Sequence, residues 1–154
     1  MKIFNILAVS GLGLALSVPA VAQVDADATK RMTEAVNKEA VERVDGLLQP
    51  GDILRLLVVA RQRGLALNCE GFAVDEARFG LVMNDIVSDV AALTEPSQNN
   101  LPLDIVLGSY TMALGGQIAV AAYDPEAYCA EGEEVRAMMA GDNESRMSIL
   151  ATAD

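Results

Sequence analysis

The 154-residue chain contains no histidine and no tryptophan, only two cysteines, and aromatic residues at 4%. Each shortage removes a class of chemistry. Without histidine there is no Ser-His or Cys-His nucleophile, no histidine-ligated zinc or haem, and no imidazole switch near neutral pH. So few aromatic rings leave little on which to stack a sugar, and paired carboxylates for glycoside hydrolysis need a deep cleft. Lys30 and Lys38 are the lysines beyond the first residues, both on a polar helix face, which disfavours a Ser-Lys dyad. No glycine-rich phosphate loop, dinucleotide fingerprint or EF-hand spacing occurs. Glu131, Glu133 and Glu134, with Asp142 and Glu144, lack the ordered ligand spacing of a calcium loop and read as solvated acidic surface. The expectation is a protein that is not an enzyme, with no cofactor, no metal site and no catalytic residues.

Positive charge is also scarce. Lys+Arg number 11 against 22 Asp+Glu, a formal net charge of −11. From Phe79 onward, Arg136 and Arg146 face twelve acidic residues. A nucleic-acid surface needs the opposite sign to displace counterions from phosphates, and so does attraction to anionic headgroups. Both classes are set aside. What remains is a protein partner or client, or a charge that serves solubility alone.

The first residues carry an address. Met1-Lys2 opens on a positive charge, Ile3 to Leu16 is apolar, and Ala20-Val21-Ala22 is a small-x-small site of the kind signal peptidase cuts. Residues 1–22 are expected to be a signal peptide cleaved after Ala22, sending the product to a periplasm with no stable membrane insertion. Removing 22 of 154 residues leaves 132, enough for a single domain with one core. The loss of Lys2 takes the formal charge to −12.

Cys69 and Cys129 are an even pair in an oxidising compartment, so a disulfide between them is the default. Their wide separation excludes a CxxC redox site. Closing such a loop stabilises a fold by about 4 kcal/mol in the chain-entropy model.

Between these landmarks the pattern is helical. From Asp25 to Leu48, Met32, Val36, Ala40, Val44 and Leu47 form an apolar stripe. Gln49-Pro50-Gly51-Asp52 reads as a turn, with Asp52 as N-cap of a buried helix over 53–63 that stops at Gly64. Val58-Val59 keeps a strand as the alternative there. Asp75 caps a third helix whose Phe79, Val82, Met83, Ile86, Val90 and Leu93 share one face. Residues 94–102 are a loop by composition. Residues 103–123 are the most apolar stretch beyond the leader, but Asp104, Ser109, Thr111 and Gln117 favour a core helix over a membrane span. Gly108, Gly115 and Gly116 would let another helix approach closely. Asp124-Pro125 starts a last helix ending near Gly141, and residues 142–154 are expected as a flexible tail. The fold class is all-α: four to five helices in a domain over 23–141, joined by one disulfide.

The segment Cys69-Glu70-Gly71-Phe72-Ala73-Val74-Asp75-Glu76 resembles the periplasmic acid-stress chaperones of the HdeA type, which carry a Cys-Glu-x-Phe segment followed by Val-Asp-Glu. The resemblance implies a small, helical, single-disulfide protein without metal or cofactor. It implies a homodimer at neutral pH that loosens in acid and binds unfolding clients. Cys69 would match the family's first cysteine, and Cys129 the second by role. The intercysteine interval is longer than the family's, the first helix is extra, and lysine-rich ends are missing. Carboxylates neutralise between about pH 5 and 3, which would carry the processed chain from −12 toward about +10. Phe72 and Phe79 flank the acidic segment and are candidate interaction anchors, although Phe79 also continues the helical stripe. The leading expectation is a secreted protein-binding module of chaperone-like kind, with an inhibitor, immunity-type protein or envelope-complex subunit as variants. The alternative is a small-molecule or lipid carrier with its cavity beside Gly108–Gly116.

Overall fold

A computed structural model describes residues 26–92, 100–140 and 147–151. The expected leader over 1–22, Leu93, most of the loop expected over 94–102 and the acidic run 142–144 lie outside the described residues. Five helices make up the fold: α1 (Ala26–Val44), α2 (Pro50–Asn68), α3 (Glu76–Ala92), α4 (Leu101–Tyr123) and α5 (Pro125–Met139). The architecture is the expected all-α bundle with one disulfide, and α4 touches each of the other four helices. The strand alternative through Val58-Val59 is replaced by helix.

Helix boundaries differ from expectation most at the end of α1 and at both ends of α2. α1 ends at Val44 rather than Leu48, since Gly46 takes a φ of 76° and turns the chain. Pro50 occupies the first turn of α2, where its missing N–H costs nothing. Asp52 is thus inside the helix and pairs with Arg55 at 3.1 Å instead of capping. α2 also runs through Gly64 to Asn68. A Cβ at Gly64 would lie 2.6 Å from the Tyr128 hydroxyl and 2.7 Å from Gln117 Cβ. This glycine is a contact point between helices, not a stop.

Elsewhere local reading holds. The Asp75 side chain accepts from the Arg78 N–H at 3.0 Å, and Asp124 accepts from Ala127 N–H at 3.1 Å, so both caps form as expected. Val82, Met83, Ile86 and Val90 bury the predicted face of α3. They meet Val44, Leu56, Val59 and Val106 in the larger apolar core. α1, α2 and α4 meet through small residues, Ala40, Ala60 and Ala113, and a Cβ at Gly116 of α4 would collide with Val36 of α1. Gly108 and Gly115, by contrast, face open space.

A second core surrounds the disulfide. Cys69 and Cys129 are bonded, with Cα atoms 5.6 Å apart, tying the C-terminus of α2 to the first turns of α5. Leu65, Phe72, Val120 and Tyr128 pack around the bridge.

Residues 147–151 overturn part of the expected tail. Ile149 is fully buried in the larger core and Leu150 is buried in the disulfide core. Val74 and Leu150 form an antiparallel bridge. The folded body therefore includes this segment, because two apolar side chains have sockets to fill and the backbone has partners.

Candidate functional site

Three arginines radiate from α2. At 100° per residue, Arg55 and Arg63 fall on one side of the helix and Arg61 on another. Arg55 reaches Asp85 of α3 at 2.6 Å, and Arg63 pairs with Glu76 at the start of the same helix. Arg61 crosses to Glu131 of α5 at 2.8 Å. The arginines are largely covered, with side-chain exposures of 21%, 24% and 28%, whereas their carboxylate partners are 59–67% exposed. In α1, Lys30–Glu34 and Lys38–Glu42 pair within the helix. The links that Arg55, Arg61 and Arg63 make between helices all start on α2. Individually, exposed pairs contribute about 0–1 kcal/mol.

The arginines also cover aromatic rings. Arg61 lies 5.6 Å from the Tyr128 ring centroid and Arg63 5.3 Å from that of Phe79. Arg136 sits 3.9 Å above Phe72 and donates to the Gly71 carbonyl at 2.7 Å. Neither candidate anchor therefore stands free. Phe72 is buried in the disulfide core, where its edge helps to exclude any Cβ at Gly132. Phe79 is half-buried beside Tyr110, their ring centroids 6.0 Å apart. Composition alone could not show that each ring had already found a cation.

Tyr128 is buried and donates to Gln117 Oε1 at 3.2 Å. Burial pushes its phenol up to about 12, with the Glu131 charge adding to the rise and Arg61 opposing it. Burial likewise raises the Tyr110 phenol, against the pull of Arg63.

Two open grooves share the Arg61–Glu131 pair as a wall. One, of about 560 Å³, is lined by Val58, Arg61, Glu131, Glu134, Val135, Met138 and Met139. The other, about 440 Å³, lies between α1 and the α4–α5 corner and is lined by Thr29, Lys30, Thr33, Val120 and Asp124 among others. The larger one is not beside Gly108–Gly116, where sequence reasoning put a carrier's cavity. Val36 occupies the space beside Gly116, and Gly108 and Gly115 line neither of these two grooves. Of the acidic run at 131–134, Glu131 goes to Arg61 and Glu133 to Arg136 at 3.6 Å. Among the described residues no group of three or more Cys, Asp or Glu gathers as a metal site would.

α4 has two faces. Val106, Ser109, Ala113, Gly116, Gln117 and Val120 are buried. Leu101, Asp104, Gly108, Thr111, Gly115, Ile118 and Ala122 are exposed on the other side, in a three–four rhythm. α4 is also the one helix among the described residues long and apolar enough to cross a membrane.

Sequence reasoning missed Gln62. It is fully buried within α2, and its carboxamide bonds the backbone of residues 147–150. A polar residue in an apolar helix was the available signal. Its partners lie more than 80 residues away and left no mark on the local pattern.

No protein-family model, curated protein or solved structure matches the chain.

Proposed function

We propose that the chain is an exported, non-enzymatic protein-binding module that acts as an acid-responsive chaperone. The observation that carries this reading is how α3 is held. Its apolar face lies on α2 and α4, while its charged links to α2 run from covered arginines to the exposed carboxylates of Asp85 and Glu76.

Carboxylates as a class lose their charge between about pH 5 and 3. Arginine keeps its charge in acid while carboxylates as a class do not, so arginine–carboxylate links between helices weaken as the pH falls. The same protonation turns the chain strongly positive, so helices repel one another. A disulfide does not titrate, and α2 stays joined to α5. α3 then lifts from a body that remains connected, uncovering Val82, Met83 and Ile86 together with Leu56 and Val59. Flexible methionine and branched aliphatic side chains suit the varied apolar segments of acid-unfolded proteins.

The test is light scattering of an aggregation-prone client after acid shock, with and without the oxidised chain lacking residues 1–22. Suppression confined to acid, and weakened when Met83 and Ile86 are replaced by serine, is the expected result. Unchanged scattering refutes the reading.

A second reading, a carrier of a small apolar ligand, is favoured by the groove over Val58, Val135, Met138 and Met139. Its volume of about 560 Å³ falls within the roughly 300–1,000 Å³ typical of ligand sites. Native mass spectrometry of the purified protein distinguishes the two: a carrier retains a bound small molecule.

A further inference from the structure

The segment 147–151 is held in the manner of a bound peptide. Five of its backbone groups are hydrogen-bonded to the helical body. Gln62 Nε2 donates to the Met147 carbonyl at 2.9 Å, and Gln62 Oε1 accepts from Ile149 N–H at 2.8 Å and Leu150 N–H at 3.3 Å. The Asp75 N–H donates to the Ile149 carbonyl at 2.8 Å, and the Ala151 N–H donates to the Ala73 carbonyl at 2.9 Å. None of these bonds involves a side chain of the segment. Its contribution of side chains is two adjacent apolar anchors, Ile149 and Leu150, which enter different cores.

This is the division of labour in peptide recognition by strand addition: backbone bonds hold any extended chain, and apolar sockets select the sequence. The receiving surface is made of residues far from the segment in sequence. Gln62 sits on α2, and the 73–75 edge follows directly on Cys69, which the disulfide ties to α5. An empty groove would leave the Gln62 carboxamide without these three protein partners, which any extended backbone can supply.

We propose that the groove between Gln62 and residues 73–75 is a peptide-binding site for short extended segments carrying two adjacent aliphatic residues. Residues 147–151 are its resident occupant, and an extended aliphatic segment of a partner protein exchanges with them. The site works at neutral pH and does not rest on the acid-responsive reading.

The test uses the full oxidised chain with Ile149→Ser and Leu150→Ser, which empties both sockets, and a fluorescent peptide of residues 147–151. Fluorescence anisotropy at pH 7 should show saturable binding to this variant. Binding to the unaltered chain, whose own segment competes, should be at least tenfold weaker. Adding Gln62→Leu to the double variant should abolish it, as should a peptide with serine in place of both aliphatic residues. A folded double variant that ignores the peptide overturns the proposal, as does equal binding of the serine peptide. Should the double variant not fold, hydrogen exchange of the unaltered chain decides. Ile149 and Leu150 amides that exchange while the α2 amides stay protected show a segment that detaches from a folded body. Exchange of all of them together overturns the proposal.

Discussion

Across 87 residues of chain, the buried Gln62 carboxamide oxygen accepts the backbone N–H of Ile149 at 2.8 Å. The same side chain serves the Met147 carbonyl and the Leu150 N–H. Replacing Gln62 by leucine, of similar size, leaves those backbone groups without partners in a buried setting. Unsatisfied buried groups cost about 1–3 kcal/mol each, partly recovered by relaxation. Gln62→Leu should therefore destabilise the fold by about 3 kcal/mol, read as a lower urea midpoint. A loss below about 0.5 kcal/mol, the size of a neutral surface change, would show the clamp to be dispensable.

Glycines of α2 and α4 should respond oppositely to one added methyl. Gly64→Ala drives a Cβ into Tyr128 and Gln117, so α2 must move away from α4 and α5. Overpacking of this kind costs about 1–3 kcal/mol, more than the roughly 1 kcal/mol that alanine gains over glycine in a helix. At Gly115 nothing lies within 4 Å of the new carbon. Gly115→Ala should raise stability by up to about 1 kcal/mol. Thermal unfolding of the two variants side by side checks the sign of each.

Reduction should cost much of the stability. The Cys69–Cys129 loop spans 60 residues, for which chain entropy gives about 4 kcal/mol. Denaturant unfolding with and without reductant measures it. The paired Cys69→Ser and Cys129→Ser variant should match the reduced protein.

Alkaline pH should weaken the fold through Tyr128. Its folded phenol is raised to about 12 from 10.0, so the folded chain holds its proton where the unfolded chain has lost it. The stabilisation is complete below about pH 10 and declines as pH rises toward about 12. Stability measured at intervals from pH 9 to 12 should fall, and Tyr128→Phe should flatten that fall. An identical slope in the variant would assign the decline to other groups, Tyr110 first among them.

Much of the fold was legible residue by residue. The stripe Val82, Met83, Ile86, Val90 named the buried face of α3, and the caps at Asp75 and Asp124 form where their side chains predicted. These features depend on neighbours three or four positions away. The candidate site was less legible. Phe72 and Phe79 were picked out as candidate interaction anchors flanking an acidic segment, but their arginine partners come from α5 and α2, beyond any local pattern.

Taken alone, the sequence determined an acidic, all-helical chain with one cysteine pair, because periodicity, capping and composition are short-range properties. The tertiary structure decided what its ambiguous residues do. Gly46 ends a helix while Gly64 joins three helices, and only packing separates these uses. It also decided that Ile149 and Leu150 belong to the cores and that Gln62 holds them. A buried polar group takes whatever partner the fold delivers, and no local pattern specifies that partner.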